Sequence, residues 1–524
     1  MNSRGGILSN PPVPAQDQPA SGISTVMEPL PSLTAASSPL LEARTQRLLG
    51  TAFAGAACLA ASAQAGVVST WIAPAGGLFT DEANWSPAPP GGGDTALFDG
   101  VGAQTVEVDS PSLVDRVVVR DGQVSLLLTN PLEAASSTAL LPSWVVGDTA
   151  GLAPAVSASG GALLGRFMEI ASAPGSAGLL QVGADASLEL TEILSVGPRG
   201  GADVVVQGQL VARRLVAGVL AGGHGDVAVH GPAATATLDE LVIMGQKGFG
   251  SLTVAAQASC DGAELIIGLN SGSNGLVTVS GAGSVLAIPG SVDVGFNGTG
   301  ALEVRDGASA TFGDDVLLGV IPMSFIPPNP PGGDGTVVVE GAGSAISIAG
   351  ALRVPVAGFG HVAVRDGGRI TAASLDFANP NAAGLEFRFA SAEDPPALVL
   401  AGAVTGSLVT PVQCDVSFTP GFAPGYGDVF QLIVAPTIAS AFEVLLPAVP
   451  APLLLSAAIE ATGSGSALVV RVSADADLDG DGTVDGADLG VLLSAWGTAG
   501  PGDFNGDAVV DGADLGILLS LWTA

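Results

Sequence analysis

Nine aspartates and one asparagine near the end of this 524-residue chain stand at spacings that suit a hard cation. They form two frames, each with a side-chain oxygen at positions 1, 3, 5, 9 and 12. The first frame holds Asp477, Asp479, Asp481, Asp485 and Asp488. The second holds Asp503, Asn505, Asp507, Asp511 and Asp514. Ca²⁺ takes about six to eight oxygens, and a twelve-residue loop of this kind adds the backbone carbonyl at position 7. Thr483 and Val509 stand there. Two Ca²⁺ sites are predicted. Position 6 is Gly482 in the first loop and Ala508 in the second. Such loops need a positive φ at that point, which costs a residue with a Cβ about 1 kcal/mol or more. The second site is therefore expected to be the weaker.

Each loop needs a rigid element to hold it. Apolar residues recur at 489, 492, 493 and 496, and again at 515, 518, 519 and 522, an offset of 26. That spacing puts them on one face of a helix. The two faces are expected to pack antiparallel and bury Trp496 and Trp522. Two matched ligand frames, each leading an amphipathic helix, distinguish this segment from a solvated acidic tail.

Residues 473–524 resemble a type I dockerin: two Ca²⁺ loop-helix segments, Asp at position 12 and no full helix before the loop. The resemblance implies a cohesin-like protein partner. In that family, loop positions 10 and 11 help select the cohesin. Here they are Gly486-Ala487 and Gly512-Ala513, identical in the two copies, which would allow two symmetric binding orientations. They are small and lack hydroxyls. Dockerins accompany carbohydrate-active proteins, so a polysaccharide is the alternative partner.

The long middle of the chain repeats. Gly178, Gly201, Gly225, Gly250, Gly275, Gly300, Gly335 and Gly360 each lead a strand ending in Val, with steps of 23, 24, 25, 25, 25, 35 and 25. The long step is one period plus an insertion that contains the Pro-rich run from Ile321 to Pro331. Residues 276–300 read as strand, corner, strand, corner, strand, with Gly at the corners. Stacked coils of this kind give three parallel sheets around a narrow apolar core. The expected fold is mainly β: a parallel β-helix, or β-solenoid, over 101–385. Its eight Gly-led coils at about 4.8 Å each would make a rod of roughly 40 Å. The insertion at 320–334 is expected to bulge from a corner without breaking the stack.

Both ends of the rod need covering. Trp71, Asn84-Trp85, Pro90, Asp94, Ala96 and Phe98 resemble the opening segment of large secreted bacterial repeat proteins. Residues 66–100 are read as a cap over the first open strand edge. The alternative is a sugar-stacking platform on Trp71 and Trp85. The period fades after Phe377, so 386–472 are read as a closing β domain. Its segment from Phe418 to Phe430 is similar to one that comes after the repeats in other secreted bacterial proteins.

At the other end, Arg44 and Arg47, an apolar run over Leu48–Ala61, and Ala63-Gln64-Ala65 read as a signal peptide over 44–65. Cleavage after Ala65 would leave a secreted or cell-surface protein with no membrane span. Residues 1–43 are Pro- and Ser-rich, and read as disordered or as a misannotated start. Lys247 is the only lysine, and the net charge is −33. Nucleic acid needs clustered basic residues, so it is excluded as a partner. Cys260 and Cys414 lie too far apart in sequence to suggest a disulfide framework.

Three Arg-Asp-Gly triplets, at 120–122, 305–307 and 365–367, could pair a base with an acid as polysaccharide lyases do. Each comes directly after a strand ending in Val, and Asp-Gly is a turn former, so they read as corners. His224, His230 and His361 lack a companion set of metal ligands. No catalytic residue is assigned. The expected role is structural or display. Polysaccharide degradation and surface adhesion are the alternatives.

Overall fold

The structure is a computed structural model. It describes residues 66–524 apart from 137, 139, 140, 321–331, 408, 451, 452, 480, 482 and 524. The leader, the signal segment with its cleavage site, the Pro-rich insertion and Gly482 lie outside the described residues.

The valines that mark the repeat stack directly on one another. Val182, Val206, Val229, Val254, Val279, Val304, Val339 and Val364 are successive partners in one parallel ladder, and all are buried. A β-branched side chain suits this position, because it packs against its own copy one coil above and below. The coil predicted from residues 276–300 has three strands, Asn274–Ser280, Val285–Ile288 and Val292–Val294. Each pairs in parallel with its counterpart in the next coil. The ladder also runs in register from Thr299–Arg305 to Asp334–Glu340, so the insertion leaves the stack unbroken.

Glycine recurs where the corner closes. A Cβ on Gly275 would lie 2.2 Å from the Met244 carbonyl oxygen. Gly268 turns another corner at φ +72, and a Cβ there would lie 2.3 Å from the Thr299 oxygen. No other residue fits either point. Gly201 is an exception to the sequence alignment: Ala202 stands in the glycine row, between Gly178 and Gly225.

The stack is longer than the repeat suggests. It has about 13 turns rather than eight. It starts at the cap, where Val68–Trp71 pairs in parallel with Thr95–Val108, which in turn pairs with Arg116–Leu128. It continues past 385: Ala383–Phe389, Val412–Phe418 and Phe442–Leu445 are added in parallel, one on the next. Residues 386–445 therefore extend the rod and do not form a separate domain. The period fades there because aromatics take over the filling. Phe389, Phe418 and Phe430 pack with ring centroids 4.9–5.1 Å apart. The last two strands close this end of the rod differently. Leu453–Thr462 and Gly465–Ala474 form an antiparallel hairpin, whose second strand lies antiparallel on Val429–Ala435.

At the opposite end, Trp71, Phe79, Trp85 and Phe98 form one buried cluster. Trp71 meets Trp85 edge-on at 5.0 Å, and both indole N–H groups donate to backbone carbonyls, Trp71 to Ala73 and Trp85 to Phe79. These rings face the core and offer no platform to a sugar.

Candidate metal centre

Two nine-residue helices come after the rod: α1, Gly486–Ser494, and α2, Gly512–Ser520. Their starts are set by aspartate. Asp485 and Asp511 are the N-caps, accepting from the Ala487 and Ala513 N–H groups at 2.7 and 2.8 Å. Asp488 and Asp514, three residues on, reach back to the cap N–H at 2.8 and 2.9 Å. Both helices thus carry a complete capping box, which satisfies backbone donors that a helix start leaves unpaired.

Asp488 and Asp514 do more than cap. The second oxygen of Asp488 accepts from the Leu478 and Asp479 N–H groups at 2.6 and 3.1 Å. That of Asp514 accepts from Phe504 and Asn505 at 2.7 and 3.1 Å. Each buried carboxylate ties the first residues of its loop to the helix start. Three of about four lone-pair directions are used, which leaves one, on Oδ2, for a cation. Burial works to raise the Asp488 pKa, but the backbone N–H groups of Asp485, Asp479 and Leu478 outweigh it and hold the carboxyl below its ordinary value.

In the first loop, carboxylate oxygens of Asp477, Asp479 and Asp481 lie within 4.8 Å of one another. Desolvation, and then the negative charges of Asp481, Asp488 and Asp477, push the Asp479 carboxyl above its ordinary value. A cation at the centre of this group would relieve that repulsion. Asp481 also accepts from the Thr483 N–H at 2.9 Å and hydroxyl at 2.7 Å. In the second loop, Asp503 accepts from Gly506 and Ala508, and Asp507 from Val509, all at 2.9 Å. Asn505 accepts from the Asp507 N–H at 3.0 Å and donates through Nδ2 to the Asp507 carboxylate at 3.1 Å. The donors are hard oxygens on turning backbone, which fits Ca²⁺ better than a soft metal. Ala508 has φ +70, the left-handed conformation anticipated for position 6.

The predicted burial of the tryptophans is wrong. Trp496 is 46% and Trp522 37% exposed, and Leu493 and Leu519 are more exposed still. The helices end at Ser494 and Ser520, so each Trp lies past the last turn and leaves the inward face. Leu492, Leu518, Phe504 and Val510 fill the small core instead, together with Ala474 and Ala476. The two halves are clasped crosswise. Gly497 N–H donates to the Val510 carbonyl, and Val510 N–H to the Thr498 carbonyl. On the other side, Thr523 N–H donates to the Val484 carbonyl.

The rod offers less chemistry. The Arg-Asp-Gly triplets at 305–307 and 365–367 are turns with consecutive positive φ at Asp and Gly. The triplet at 120–122 lies inside the strand Arg116–Leu128, and only Gly122 has positive φ. Its phase differs because the long early strands bend through irregular register near Asp99. Arg365 holds Glu386 in a two-point pair at 2.7 and 2.8 Å. Arg388 spans Asp366 and Glu340. Hydrogen bonds donated to these acids raise the pKa of both arginines, so neither is poised to give up a proton. His224 stacks on Phe249 and bonds to Asp226, and His361 faces Glu386 at 3.5 Å. Trp144 is buried with its N–H on the Leu164 carbonyl. Cys260 and Cys414 are unpaired core residues, and burial raises both thiols, Cys260 to about 12.

No protein-family model, curated protein or solved structure matches this chain. No helix among the described residues is long and apolar enough to cross a membrane.

Proposed function

We propose that this chain is an exported, non-catalytic rod that is attached to a cohesin-type protein through its Ca²⁺-binding, dockerin-like end. The observation that carries the reading is the duplication in three dimensions. Each loop has a buried Asp at position 12 that ties loop to helix, and each helix carries near its end an exposed Leu followed three residues on by an exposed Trp. Exposed apolar pairs related by an internal repeat suit protein recognition, where Trp is a preferred anchor. Asp477, Asp479, Asp481, Asp485 and Asp488, with the Thr483 carbonyl, would hold one Ca²⁺. Asp503, Asn505, Asp507, Asp511 and Asp514, with the Val509 carbonyl, would hold the other. The cation would neutralise the clustered carboxylates and fix the loops, and with them the spacing of the two Leu–Trp pairs.

Polysaccharide degradation is the second reading, favoured only by the dockerin resemblance. The arginines that could serve as bases are held in ion pairs, which supports the structural role. The test is capture from the secreted proteins of the source cells, using the whole chain in Ca²⁺ and in chelator. A partner retained only in Ca²⁺, and lost when Trp496 and Trp522 are changed together to Ala, is expected. Capture that ignores Ca²⁺ would defeat the attachment reading. Cleavage of an acidic polysaccharide by the chain would defeat the non-catalytic one.

A further inference from the structure

The strand Leu453–Thr462 is a long, mostly apolar strand at an edge of the fold. It pairs over its full ten residues with Gly465–Ala474, and its other side pairs with no described strand. Edge strands are usually blunted by lysine, proline or a bulge. This one reads Leu-Leu-Leu-Ser-Ala-Ala-Ile-Glu-Ala-Thr, without any of them. Leu453, Leu455 and Ala457 lean on the rod's core, while Leu454 and Ile459 are nearly half exposed. The outward face carries Leu454, Ser456, Ala458 and Glu460, so this edge is long and regular, with one charge in ten residues.

We infer that a second copy of this chain pairs along this edge, strand against antiparallel strand, joining two rods tail to tail. Charge selects the place. The whole chain carries −33, so two copies repel over most of their surface. The hairpin from Leu453 to Ala474 holds one acid and one base, Glu460 and Arg471, which pair with each other. It is a neutral seam where two copies can meet without that repulsion. An antiparallel edge is also complementary to itself under a two-fold axis, and a second strand pairs a whole row of backbone N–H and C=O groups at once. The helical end leaves the hairpin after Ala474, opposite Leu453. In an antiparallel pair these ends lie on opposite sides of the seam, roughly 30 Å apart, so the helical modules do not collide.

Sedimentation equilibrium of the whole chain in chelator separates this contact from any Ca²⁺-dependent one. The expected mass is twice the 51.0 kDa of one chain. Ser456→Lys with Ala458→Lys, both exposed positions, should halve it while leaving the far-ultraviolet β signal intact. A monomeric parent chain, or a lysine variant that stays dimeric, overturns the inference. Hydrogen exchange of the unaltered chain provides a reading that needs no variant. Amides of Leu453–Thr462 should exchange more slowly at high protein concentration than at low, and equal rates overturn the inference.

Discussion

Val484 N–H donates to the Thr523 hydroxyl at 2.7 Å, and Thr523 N–H donates back to the Val484 carbonyl at 3.0 Å. The eighth position of the first loop is thereby held by the segment just past the second helix. Its counterpart, Val510, is held by Gly497 and Thr498 after the first helix. Each loop is braced from the other half.

Thr523→Val removes the hydroxyl and leaves the backbone bond. The expected loss is about 1 kcal/mol of bracing, or a several-fold weaker Ca²⁺ affinity in the first loop. The second loop should bind as before. Calorimetric titration of the whole chain reads both, and an equal loss at the two sites would contradict the crosswise arrangement.

Ala508→Gly relieves a left-handed backbone that costs a Cβ-bearing residue about 1 kcal/mol. The second site should tighten by roughly fivefold and approach the first. Unchanged affinity would show that φ +70 at Ala508 is not what limits that loop.

Asp488→Ala removes the N3 half of the α1 capping box, leaving the Asp485 cap, and orphans three backbone donors. The expected cost is about 1–3 kcal/mol, and it should be present in chelator, before any cation binds. Hydrogen exchange at Leu478, Asp479 and Asp485 measures it. Protection that differs from the parent only when Ca²⁺ is added would mean that Asp488 serves the metal alone.

Acid should loosen the end of the rod. The hydrogen bond from Arg388 holds the Asp366 carboxyl below its ordinary value, with further help from Thr419. A depressed carboxyl contributes stability above the unfolded pKa and loses it as pH falls through the folded one. The contribution is about 1 kcal/mol for a pair of this exposure. Denaturant unfolding should show stability falling below about pH 4, with a shallower fall in Arg388→Gln. Parallel pH profiles in the two proteins would exclude the pair as the cause.

Much of this was legible in the sequence for a simple reason: a solenoid repeats its contacts, so it must repeat its residues. The ladder from Val182 to Val364 could be read because one residue type solves one packing problem in every coil. The coils after Phe377 were hidden because Phe387, Phe389 and Phe418 solve the same problem with different shapes. Glycine spacing was nearly right and slipped at Gly201, which lies one residue before the row that Ala202 occupies. The ligand frames were plain, since spacing alone defines them. The exposure of Trp496 and Trp522 was not. Periodicity gives the face of a helix but not where the helix stops, and here it stops two residues short of each Trp. The second duty of Asp488 and Asp514 was equally hidden, because their partners are backbone groups that carry no sequence signal.

The valine ladder has one more implication. Nearly all contacts of a coil are with the coils directly above and below it, so adding or removing a coil disturbs the stack only near the junction. About 13 turns at about 4.8 Å apiece make roughly 60 Å. A duplication or deletion of 25 residues would move the two ends by about one turn's rise, roughly 4.8 Å. The molecule is a ruler whose graduations are written in its genetic length, and selection can adjust the distance it spans one mark at a time.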